Sequence, residues 1–130
     1  MVPFFTGEIR LNTAYPMHSQ LADLLIDVEI ALREGGLWEC EQPSEQAMQS
    51  NVPFCVDTMS FAQWLRYVMI EKFKVLIEHG APLPTQCYVS PMAVEAFKEV
   101  DHTMLNRLIQ RLNKIDQHLS QQTLLDDSAL

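Results

Sequence analysis

Apolar residues recur at spacings of three and four through most of this chain and divide it into four helical segments. From Met17 to Arg33, Leu21, Leu24, Leu25, Val28, Ala31 and Leu32 fall on one stripe, the mark of an amphipathic helix. Gly35-Gly36 stops it, because glycine reaches the left-handed cap conformation at little cost. A second helix is predicted from about Phe61 to Glu78, with Phe61, Trp64, Leu65, Val68, Met69, Leu76 and Ile77 on its apolar face and Phe73 joining them. Ser60 and Gln63 have the spacing of a capping box, and Met59 and Trp64 that of a hydrophobic staple. His79-Gly80 closes this helix and Pro82-Leu83-Pro84 prevents it from resuming.

Ser90-Pro91 predicts a third start, with Ser90 as cap and proline at the first helical position, where a missing N–H is harmless. Met92, Val94, Ala96 and Phe97 carry it to about Val100. The last helix begins at Asp101 or Thr103, and Leu105, Leu108, Ile109, Leu112, Ile115 and Leu119 form its heptad-like stripe. No segment alternates with the period of two that a half-buried strand requires. The expectation is an all-α, single-domain bundle of about four helices. It comprises an arm (1–16), a helical domain (17–119) and a tail (120–130) that frays. A long irregular connection, Leu37 to about Val56, joins the first two helices. About 20 residues without a strong element is unusual in a compact domain. Pro43 to Met48 suits a short helical turn, and Trp38 is placed to seal the end of the first helix.

Size and charge narrow the classes. The chain has 130 residues, 48% of them hydrophobic and 20% charged, as in an ordinary globular fold. No apolar run approaches the roughly 18 residues that suggest a membrane span. Met1 to Gly7 lacks the basic and apolar regions of a secretory signal, so a cytoplasmic location is expected. A net charge of −8 opposes non-specific binding to nucleic acid or to an anionic membrane. Cys40, Cys55 and Cys87 are odd in number and widely spaced, which reads as core filling rather than a disulfide or metal framework.

Reactive constellations are missing from the sequence. Cys55, His79 and Asp57 could be assembled on paper into a nucleophilic set, but nothing in their spacing supports one. His18, His79, His102 and His118 stand apart, with no metal-ligand spacing. Asp101-His102 and Asp116-Gln117-His118 read as surface pairs, and Asp23, Asp27 and Glu34 as a solvated face. No catalytic residue, metal or cofactor is expected. A basic stripe, Arg107, Arg111 and Lys114, falls at i, i+4 and i+7 on the last helix. Three charges without interleaved aromatics would give weak, salt-labile contact with RNA.

The remaining feature is the junction from Phe54 to Trp64. Asp57 can cap the second helix, favour its dipole, or accept bonds from the loop's backbone. Alternatively, Trp38, Phe54, Asp57 and Trp64 line an aromatic groove with one polar anchor, suited to a peptide or small molecule.

These residues also carry a resemblance. Trp38, Pro53-Phe54, Asp57-Thr58-Met59, Gln63-Trp64-Leu65, Leu83-Pro84 and Ser90-Pro91-Met92 are similar to the pattern of the YqcC family of small, functionally uncharacterised bacterial proteins. The likeness spans about Met17 to Leu119. Glu71 stands where that pattern expects a proline, which implies a straighter second helix. The resemblance implies a cytoplasmic helical bundle without assigned catalytic residues. Genes of the family often lie beside one for a tRNA pseudouridine synthase, which implies a link to tRNA modification. The reading that follows is a non-enzymatic interaction module. The aromatic junction and seven methionines would let it dock a protein partner, such as an RNA-modifying enzyme, or a second copy of itself. The rival readings are a small-molecule or unrecognised catalytic cleft around Asp57, and RNA contact through the basic stripe.

Overall fold

The computed structural model describes residues 16–129, with side chains through Ser120; the arm expected over 1–16 lies outside them except for Pro16. In chain order the helices are α1 (Pro16–Glu34), α2 (Glu45–Met48), α3 (61–78), α4 (Ser90–Ala96) and α5 (His102–Ala129), with a 3-10 turn at Pro53–Cys55. There is no strand among the described residues. The fold is all-α, with four substantial helices.

The stripes of α1 and α5 meet along one seam, which is the principal packing contact of the molecule. Leu21, Val28 and Leu32 face Leu108, Leu112, Ile115 and Leu119, all essentially inaccessible to water. The two helices run antiparallel. Glu34 reaches Arg107 at one end, and at the other His118 Nε2 donates to the Met17 carbonyl at 2.9 Å. The α5 backbone stays helical through Ala129, beyond the point where the apolar stripe ends and fraying was expected; the Gln and Leu residues there are good helix formers.

Both glycine stops close as expected. Gly36, at φ 72°, lets Leu37 N–H reach back to the Leu32 carbonyl and its own N–H to Arg33. Gly80, at φ 60°, repeats this with Ala81 to Leu76 and its own N–H to Ile77. This is the Schellman arrangement at both ends. Trp38 is buried against the end of α1 and donates its own N–H to Leu32.

The start of α3 matches the sequence reading bond for bond. Ser60 Oγ accepts from Gln63 N–H at 3.1 Å, and Gln63 Oε1 accepts from Ser60 N–H at 2.8 Å. Its middle does not. Leu65–Ile70 forms a π-turn between two α-helical stretches, Phe61–Trp64 and Glu71–Glu78. Such a turn inserts one residue into the helical repeat. The buried face therefore passes through Met69 and Ile70 at the end of the turn to Phe73 beyond it, while Val68 is only partly buried.

α4 departs from expectation in its cap. Ser90 does not serve as the accepting cap; its hydroxyl and its N–H both donate to the Asp116 carboxylate on α5, at 2.8 and 3.0 Å. Val89 N–H donates to the same carboxylate at 3.0 Å. α4 ends at Ala96, short of Val100. Asp101 then begins α5, its Oδ1 accepting from Thr103 and Met104 N–H.

Candidate functional site

The connection between α1 and α3 is more ordered than its composition suggests. Ser44 caps α2, its Oγ accepting from Ala47 N–H at 3.1 Å. Thr58 Oγ1 donates to the Ala47 carbonyl at 2.8 Å, tying the turn before α3 to the end of α2. Residues 44–59 thus form one hydrogen-bonded lobe on the side of the bundle.

Within this lobe two consecutive non-glycine residues are left-handed, Phe54 (φ 59°, ψ 15°) and Cys55 (φ 50°). Each such residue costs about 1–2 kcal/mol, so other contacts must hold them. Phe54 supplies those contacts. Its ring meets Trp64 edge-on, centroids 4.9 Å apart, and Phe61 at 5.9 Å. Phe61 stacks on Trp64 at 5.5 Å and touches Phe97 at 5.6 Å. Phe54 and Trp64 therefore come together, as grouped from sequence, but as members of a packed aromatic cluster.

Asp57 lies outside that cluster. Its exposed carboxylate accepts from Ser50 Oγ at 2.6 Å, and Ser50 Oγ in turn accepts from Val52 N–H at 3.1 Å. The side chain stitches the lobe through a hydroxyl relay rather than capping α3.

Trp38 has different company again. The Arg66 guanidinium lies 4.3 Å from its ring centroid and 4.9 Å from that of Tyr67, and Arg33 lies over Trp38 at 4.8 Å. Arg66 Nη1 donates to the Trp38 carbonyl at 2.6 Å, and Tyr67 OH donates to the Cys40 carbonyl at 3.1 Å. Arg66 and Tyr67 belong to the π-turn, so the helical irregularity and the connection meet here. The result is a hollow of about 460 Å³ lined by Trp38, Gln42, Met48, Arg66, Tyr67, Glu71 and Lys74. Phe54, Asp57 and Trp64 are not among its walls. The single groove expected from the sequence is thus divided among an aromatic cluster, an outward carboxylate and this hollow. Arg66 and Tyr67 were missed, and nothing in the periodicity of Leu65–Ile70 marks them.

The basic stripe is partly neutralised. Arg107 lies 3.4 Å from Glu34 across the seam, and Lys114 borders a shallow hollow with Asp23. Arg111 is half-buried. The Asp116-Gln117-His118 surface reading is corrected for two of its members: Asp116 and His118 are each only 7% exposed, because one caps α4 and the other bonds α1. Burial, followed by a hydrogen bond and the charge of Asp116, pushes the Cys87 thiol well above the ordinary range. Burial raises Cys40 as well, against the opposing pull of Arg66. Neither is an activated nucleophile. No cluster of metal-ligating side chains occurs among the described residues.

Comparison with known proteins places the chain. A family model described as tRNA pseudouridine synthase C (DUF446) matches residues 20–118. The chain belongs to this family. An uncharacterised protein of Escherichia coli, YqcC, is 30% identical over 99 residues, 76% of this chain and 90% of that protein, so membership of the YqcC-like family anticipated from the motifs is shown. An uncharacterised protein of Haemophilus influenzae is 36% identical over 83 residues, 64% of this chain and 78% of its own length. A third relative, from Pectobacterium carotovorum, is named tRNA pseudouridine synthase C. It is 36% identical over 66 residues, which are 51% of this chain but 18% of that protein. No solved structure matches. No helix of the described residues is long and apolar enough to cross a membrane.

Proposed function

We propose that this chain is a non-catalytic accessory module that docks onto a tRNA pseudouridine synthase in the cytoplasm. One observation carries the reading. A segment similar to this chain lies within a longer protein that bears the synthase name, and more than four-fifths of that protein falls outside the match. A segment that lies within a larger protein in one relative and makes up nine-tenths of a short protein in another is well placed to meet the larger partner non-covalently, because tethering only raises the effective concentration of a contact already favourable. The local chemistry agrees. Cys55 is buried, and the carboxylates bonded at the junction and at α4 cap or stitch the backbone.

The test is binding of the purified chain to the synthase of the same host, read by titration calorimetry and by the mass of the co-eluting species. A one-to-one complex is expected. Separate elution with no heat at micromolar concentrations of both would end the proposal.

A second reading keeps some support from the hollow at Trp38. An aromatic floor beside Arg66 and Lys74 suits a small anionic or aromatic molecule. It predicts that such a compound raises the melting temperature of the wild-type protein but not of Arg66→Ala. RNA contact through Arg107, Arg111 and Lys114 is the least supported, since Glu34 pairs with the first of them and Arg111 is half-buried.

A further inference from the structure

The 44–59 lobe displays apolar side chains that the fold does not use. Among the described residues eight large hydrophobics are exposed, and three of them, Met48 (42%), Val52 (39%) and Val56 (54%), fall within nine residues of this lobe. Isolated exposed apolar residues need no explanation; their concentration in one short segment does. The backbone explains how they reach the surface. In an extended chain residues 52, 54 and 56 would share a face. The left-handed pair at Phe54 and Cys55 breaks that pattern, so Phe54 turns into the aromatic cluster while Val52 and Val56 stay in water. Strain is thus spent on holding two valines outward from a lobe anchored by Phe54, Thr58 and Ser50. A surface held ready in this way loses little freedom on binding.

Charge selects the partner. Within residues 44–59 the charged side chains are Glu45 and Asp57, both exposed, whereas Arg66 and Lys74 lie at the neighbouring hollow that Met48 also lines. Apolar side chains beside acidic charge are repelled by nucleic acid and fit a basic protein surface. An enzyme that holds tRNA must carry such a surface, since it has to neutralise phosphates. We infer that this lobe, through Val52 and Val56 with the Asp57 carboxylate beside them, is the face that docks on the tRNA pseudouridine synthase. The inference rests on the docking reading above and adds where the contact is made.

The experiment is a calorimetric titration of the host synthase with the wild-type chain and with Val56→Arg, Val56→Glu and Ile26→Arg. Val56 and Ile26 are both exposed, so all variants should keep the wild-type melting temperature. Val56→Arg should weaken binding about tenfold or more, as loss of a central interface contact does. Val56→Glu should weaken it less, because it retains the favourable sign of charge. Ile26→Arg, on the outer face of α1, should leave the affinity unchanged, and added salt should weaken the wild-type complex. A wild-type complex undisturbed by Val56→Arg would overturn the lobe assignment while leaving docking intact. No wild-type complex at all would remove both. A chain that alone has twice the monomer mass, reverting to monomer in Val56→Arg, would make the lobe a self-association surface and overturn the assignment.

Discussion

Along the α1–α5 seam the apolar residues the sequence places inward are overwhelmingly inward, and at its edge Glu34 meets Arg107. In the lobe between α2 and α3 the opposite holds. Valines face water, two residues sit in a costly backbone region, and the acidic side chains have no lysine or arginine within the segment. The seam is organised to satisfy itself, and the lobe is organised to present. Local agreement between propensity and fold is the usual condition of a chain; where it fails, strain marks a place that something other than stability has shaped.

The contrast can be broken most forcefully at the seam. Leu112→Ala should cost about 2–5 kcal/mol, the range for truncating a fully buried leucine, measured by urea unfolding; a loss below about 1 kcal/mol would mean that the seam is not the core. Asp116→Ala should cost about 2–3 kcal/mol, since it strands two buried N–H groups and a hydroxyl that bond to a charged acceptor. Asp116→Asn should cost less, because the amide oxygen can still accept. Equal losses for both would show that charge, not hydrogen bonding, holds α4.

At the lobe the effects are smaller and their sign matters more. Ser60→Ala should cost about 0.5–2 kcal/mol as a lost helix cap; no change would mean that Gln63 alone holds the start of α3. The sharpest contrast is at Cys55. Both Cys55→Gly and Cys55→Ala remove the thiol, but only glycine is at ease at φ 50°. Cys55→Gly should therefore be the more stable of the two by about 1 kcal/mol, the reverse of the usual order. The ordinary order, alanine above glycine, would dissolve the claim of strain.

What could be read from the sequence follows the range of the interaction responsible. The stripes of α1 and α5 and the Ser60–Gln63 box depend on residues three or four apart, and they were legible. Asp116 was not: its partners Val89 and Ser90 are 27 and 26 positions away, and in sequence it resembles any polar residue on a solvated face. The π-turn escaped for the same reason, since Arg66 and Tyr67 bond carbonyls 28 and 27 residues back. Phe54 and Cys55 were unreadable in a stronger sense, because no local preference favours a left-handed pair without glycine. At the candidate site Phe54 and Trp64 meet, but in a packed cluster with Phe61 and not along the expected groove. Trp38 and Asp57 were separated from them by bonds that only the folded chain contains.

The borrowed carboxylate on α5 also sets an order of events. α4 has seven residues, too few to persist by itself, and the N–H groups of Val89 and Ser90 at its start donate to Asp116. It therefore cannot outlive the docking of α5 during unfolding, nor precede it during refolding. Amide exchange in α4 should track the opening of the final helix, so the shortest substantial helix would report on the longest.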